Sequence, residues 1–161
     1  MPNADACDSW QRLLQLGVTP CELGARDTLR LEMGYPFSGC DLGPDRTPLE
    51  FGLGSFVDRK KGHFIGRGLL LKQKASTLPA KLKGLIMNSK GSPLRSNYEI
   101  FQGNINIGVI DSFCSLPSLK HGIAMAYLPV SHSRVGNEME VVIRGRHFPT
   151  FTAKKPFYHR P

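Results

Sequence analysis

A chain of 161 residues with 40% hydrophobic and 21% charged residues has the composition of a globular protein, one domain of ordinary size or two small ones. It holds no run of about 18 apolar residues, so no helical membrane span is expected, and Met1-Pro2-Asn3-Ala4-Asp5 lacks the basic start and apolar core of a secretory signal. The net charge of +8 is uneven: residues 1–78 carry ten Lys/Arg against nine Asp/Glu and residues 79–161 eleven against four, a bias toward acidic partners or polyanions, but without the aromatic motif that would accompany RNA binding.

The predicted elements follow in chain order. Ala6 to Leu16 places Trp10, Leu13 and Leu14 at helical spacing, and Gly17 stops the helix. A second helix is expected from Arg26 to Met33; Leu29, Leu31 and Met33 form no clean stripe, which suggests a largely buried helix closed by Gly34-Tyr35-Pro36. Residues 38–48, rich in Gly, Asp and Pro, read as a surface loop. Ser55 to Arg59 is a short strand candidate and Arg67 to Ala75 a helix. Ser76-Thr77-Leu78-Pro79 looks like a boundary, and the pattern then changes to short β segments: 81–87, 98–101, 105–110, 123–128, 139–143 and 147–152, the last two forming a hairpin around Arg144-Gly145-Arg146. Such segments, separated by Gly, Asn and Pro, predict a small antiparallel barrel or sandwich.

Candidate chemistry is concentrated in few places. Arg26, Asp27, Arg30 and Glu32 put four charges within seven residues among leucines. Their plain reading is a helix with surface ion pairs, each contributing little. A buried carboxylate there would instead suit a ligand edge bearing two adjacent N–H donors, which a single carboxylate accepts together. Asp58-Arg59-Lys60-Lys61-Gly62-His63 reads as a solvated turn or as a cation site for an acidic ligand tail. The cysteines (Cys7, Cys21, Cys40 and Cys114) match no zinc or CxxC spacing and are expected to be reduced thiols, and the five histidines show no ligand spacing, so no metal is expected. Ser112 with His121 or His132 lacks the context of a hydrolase nucleophile.

The stretch GARDTLRLEMGYPFSG from Gly24 to Gly39, with TPLEFGLGSFVDRKKGHFIGRGLL from Thr47 to Leu70, resembles the second half of the aminomethyltransferase (T-protein) family of the glycine cleavage system. The resemblance continues through Ile107–Ser112, Pro117–Lys120, Ile123–Tyr127, Arg134–Gly136 and the closing Lys155-Pro156-Phe157-Tyr158. It implies an α+β fold: residues 1–78 as the C-terminal part of a folate-binding domain, and residues 79–161 as a small antiparallel β-barrel domain. It implies transfer of an aminomethyl carbon from lipoylated H-protein to tetrahydrofolate with release of ammonia. It makes Glu32 the pterin-binding carboxylate and Lys61 the folate-contacting cation, or Lys60 or Arg59 after a slip in register, and it turns Tyr158 toward the folate. The catalytic aspartate is expected in a first half that this chain does not contain, so no catalytic residue is assigned here. The chain alone is expected to show no transfer, and a separately encoded first half would be a further partner.

His63 stands where a related iron–sulphur-assembly family carries a cysteine, which argues against that family. Departures from the T-protein pattern are Ser38 for Tyr, Ser55 for Trp, Phe51 for a small residue, and Asp111, Phe113 and Leu116 for Thr, Gly and Ser. The alternatives are a non-catalytic folate-binding module and the C-terminal piece of a dimethylglycine or sarcosine oxidase. The implied location is the bacterial cytoplasm, or the mitochondrial matrix in a eukaryote.

Overall fold

The computed structural model describes residues 2–87, 95–115 and 121–159. Helix α1 (Ala6–Gln15) ends where Gly17 and Val18 donate to the carbonyls of Leu14 and Leu13, at 3.0 and 3.1 Å. Helix α2 (Glu22–Glu32) begins four residues ahead of the expected start. Its last turn is closed by Gly34 (φ 67°) and Tyr35, whose N–H groups reach Leu31 and Arg30 oxygens at 2.8 Å each. This left-handed cap satisfies carbonyls that a helix end otherwise leaves open. Helix α3 (Arg67–Ala75) has the expected bounds.

Two expectations for this half fail. The helix at 26–33 is not largely buried: within α2 only Leu31 and Glu32 are buried, while Leu29 is 61% exposed. Leu31 packs on the outer wall of the barrel, and Leu29 lies away from that contact. Ser55–Arg59 is not a strand. Gly54–Phe56 forms a 3-10 turn and Phe56 lies exposed. A strand needs a ladder partner for its N–H and C=O groups, and the barrel has closed on itself without leaving an edge for one.

That barrel has the strands β1 (Ala80–Met87), β2 (Glu99–Gln102), β3 (Ile105–Ser115), β4 (Gly122–Pro129), β5 (Glu138–Ile143) and β6 (Arg146–Ala153). They close in the order β1-β4-β3-β2-β5-β6, every neighbouring pair antiparallel. The β5–β6 connection is the two-residue turn Arg144-Gly145, both with positive φ, the mirror-image turn whose twist suits a hairpin. Strand β3 runs five residues past its expected end, and the segment Leu116–Lys120 lies outside the described residues.

Two apolar clusters result. Leu85, Ile100, Ile110, Leu128, Val141 and Ile143 are among those that fill the barrel. Outside it, Leu31 of α2 packs with Leu82, Ile123, Met125 and Phe157. Strand β4 serves both: Ile123 and Met125 join the outer cluster, Ala124 and Ala126 the inner, and all four have zero exposure. A strand buried on both faces reads as an unbroken apolar run rather than an alternation. No described helix is long and apolar enough to cross a membrane.

Candidate functional site

After β6 the chain turns back across the barrel wall to the C-terminal end of α2. Gly84 makes room for this, since a Cβ there would lie 2.6 Å from the Phe157 ring. Gly34 makes room on the other side, where a Cβ would lie 2.6 Å from the Lys155 stem. The tail then completes the helix end: the N–H groups of Phe157 and Tyr158 both donate to the carbonyl oxygen of Glu32, at 2.8 and 3.1 Å. Glu32, at 9% exposure, is the last residue of α2, and Phe157 beside it is buried. The backbone thus brings Glu32 and the half-buried Tyr158 together across nearly the whole chain. Lys61 is placed differently. It is exposed in a turn held by Asp58, whose Oδ1 accepts the N–H groups of Lys60 and Lys61 at 2.9 and 3.2 Å.

Beside Glu32 lies a polar network. Arg30 donates to Asp27 (2.6 Å), to Asp41 (2.8 Å), to the Ser112 hydroxyl (3.1 Å) and to the Tyr35 carbonyl (3.2 Å). Asp41, at 1% exposure, also accepts the Phe37 N–H at 2.8 Å, and its carbonyl accepts the Tyr127 hydroxyl at 2.7 Å. The second carboxylate oxygen of Asp41 is buried with no hydrogen-bond partner. Arg46 lies 4.5 Å over the Tyr127 ring and pairs with Glu50 at 3.1 Å. Burial opposes the Glu50 charge, but the Thr47 N–H, Arg46 and the Thr47 hydroxyl hold its carboxyl below the ordinary value.

Asp111 is the extra residue of a bulge in β3, where the pairing with β4 slips between Ile110 and Ser112. Its carboxylate accepts the Tyr127 N–H at 3.2 Å. Burial pushes its pKa up to about 6, and the Asp41 charge adds to this against the opposing Tyr127 N–H and Arg46. Burial likewise raises the Tyr127 phenol. Burial lowers the Lys155 ammonium, which Asp41 attracts and Lys83 repels.

The sequence pointed to Glu32 and Tyr158 but not to Asp41, whose side-chain partners Arg30 and Tyr127 lie on α2 and β4 and whose only carboxylate partner nearby in sequence, among the described residues, is the Phe37 N–H. Asp111 did carry a signal, a charged residue interrupting the apolar run Ile107–Ile110. Among the described residues no group of three or more His, Cys, Asp or Glu is placed to hold a metal ion. The four cysteines are free.

Comparison with known proteins places this geometry. Residues 81–159 match the family model of the glycine cleavage T-protein C-terminal barrel domain, and residues 1–61 match that of the GCVT N-terminal domain. An aminomethyltransferase of Caldanaerobacter subterraneus subsp. tengcongensis is 42% identical over 164 residues, which span 99% of this chain and 44% of the relative. One from Picosynechococcus sp. is 43% identical over 150 residues, 92% of this chain and 41% of the relative. The crystal structure of glycine cleavage system aminomethyltransferase T from Bartonella henselae superimposes with a TM-score of 0.90 at 29% identity, covering 98% of this chain and 45% of that one. The chain therefore spans less than half the length of these relatives. With both of its parts matched to models of one family, and its fold to a solved member, it belongs to the glycine cleavage T-protein family of aminomethyltransferases.

Proposed function

We propose that this chain supplies the folate-holding part of an aminomethyltransferase that takes the aminomethyl carbon from the lipoyl arm of H-protein, releases ammonia and passes the carbon to tetrahydrofolate. Residues 1–78 act as the C-terminal part of the folate-binding domain and residues 79–161 as the barrel that braces it. The observation that carries this reading is the position of Glu32, an almost buried carboxylate at the helix end on which the tail docks.

The residues present suit a reduced pterin in their chemistry. Glu32 is an acceptor for the donor edge formed by the 2-amino group and the adjacent ring N–H, and in a site shielded from water such charge-assisted bonds are strong. Tyr158 lines the same helix end, and the exposed Lys61 is available to a carboxylate tail. When bound, tetrahydrofolate supplies the amine nitrogens that accept the one-carbon unit. The part of this chain is to bind and orient, which contributes to rate by holding reactants in a productive arrangement. The proton-handling aspartate of the reaction is assigned to a first half supplied by further polypeptide.

Calorimetric titration of 5-formyltetrahydrofolate into the 161-residue chain tests this, with Glu32→Ala as the control. Truncating the acceptor leaves the pterin donors unpaired at a cost of about 1–3 kcal/mol, roughly 5- to 150-fold in affinity. Equal heats and equal affinity for the two proteins, both folded by circular dichroism, would count against Glu32 as the anchor.

A further inference from the structure

A concave surface lies at the seam between the helical segment and the barrel. Arg59 from the 58–61 turn, Lys74 from α3, and Lys81 and Lys83 from β1 line a groove of about 480 Å³ whose apolar lining includes Leu49 and Leu78. No carboxylate lines it among the described residues. The acidic residues nearest in sequence are engaged elsewhere: Asp58 accepts two backbone N–H groups of its own turn, and Glu50 is held by Thr47 and Arg46. Among the described residues no ion pair involves any of the four cations. On the next turn, Arg67 donates one guanidinium nitrogen to the Arg59 carbonyl at 3.2 Å, and its Nε is buried without a partner.

We infer that this groove binds a small ligand carrying three or more negative charges along a chain, the shared chemistry of oligophosphates and oligocarboxylates. Lys81 and Lys83 stand two residues apart on one strand, so their stems are spaced by roughly 7 Å along it. Arg59 and Lys74 approach from two other elements, so a single charge could not serve all four. The like charges are also uncompensated: burial and the neighbouring Lys81 both lower the Lys83 ammonium. An anion reverses both penalties. The groove has the size of a small-molecule cleft, and its lining holds no aromatic ring on which bases would stack. The inference does not depend on the reading of Glu32.

The test is calorimetry on the whole chain at about 50 mM salt with two probes, inorganic tripolyphosphate and a linear triglutamate peptide. Lys81→Gln with Lys83→Gln should weaken the better probe about tenfold or more. Arg144→Gln with Arg146→Gln, which removes the same charge from the exposed β5–β6 turn, should change it less than twofold. If the β1 variant melts early, Arg59→Gln with Lys74→Gln, both exposed, carries the same expectation. Preference for one probe identifies the source as a phosphate or a carboxylate chain, and either preference supports the site. Equal losses in the groove and turn variants, or no binding of either probe by the unaltered chain, would overturn it.

Discussion

Replacing Asp111 by asparagine isolates a single titration. In the fold the Asp111 carboxyl ionises at about 6 instead of the usual 3.8, chiefly through burial and secondly through the Asp41 charge. The folded state therefore binds this proton more tightly than the unfolded chain, so the contribution of Asp111 to stability is fullest below about pH 4 and is lost as pH rises through about 6. A gap of about two pH units between the folded and unfolded titrations, at roughly 1.4 kcal/mol for each, sets a ceiling of about 3 kcal/mol. Asp111 is only partly buried, and solvent screening reduces this to ~1–2 kcal/mol. Asparagine keeps an oxygen for the Tyr127 N–H and carries no charge, so Asp111→Asn abolishes this slope and leaves every other titrating group in place. Thermal melts at half-unit steps from pH 4 to 7 should show the variant gaining on the parent by about 2–8 °C across the interval, given ~2–4 °C per kcal/mol at this chain length. Parallel curves over that range would refute the account of Asp111 as a carboxylate strained by its surroundings.

Two further outcomes follow from the same geometry. Arg30→Ala should destabilise the fold by about 3–5 kcal/mol in urea titration, because it strips the cation from the fully buried Asp41 carboxylate. A cost under ~1 kcal/mol would mean that the Phe37 N–H alone satisfies that charge. Gly34→Ala should cost about 1–3 kcal/mol, since residue 34 has φ 67° and its added methyl would meet the Lys155 stem. Hydrogen exchange at Phe157 and Tyr158 should rise with it, and unchanged protection there would show that the tail docks independently of the helix cap.

Most of the barrel was legible in the sequence. Its strands are short, mostly β-branched or aliphatic, and bounded by Gly, Asn and Pro, and the β5–β6 turn carries its own glycine. The errors have physical causes. Helix α2 starts early at Glu22, with no capping side chain to mark the place and a positive φ at that residue. The 55–59 segment has strand-like composition, but pairing is a property of the neighbour as much as of the segment. The exposed apolar side of α1, with Trp10 51% and Leu16 79% exposed, follows helical spacing without a described partner layer. For the candidate site, Glu32 was singled out by a resemblance carried by unusual neighbouring residues, and the structure adds its burial at the end of α2. The Arg30–Asp41–Ser112–Tyr127 network was not, because its members meet only where α2 and its following loop pack on β3 and β4.

The two amide groups that finish α2 belong to residues folded onto it from the opposite end of the chain. The backbone at the end of α2 is consequently fixed by a distant stretch of sequence. Substitutions around Pro156, distant in sequence, would loosen the final helical turn by withdrawing those two amides from the Glu32 carbonyl.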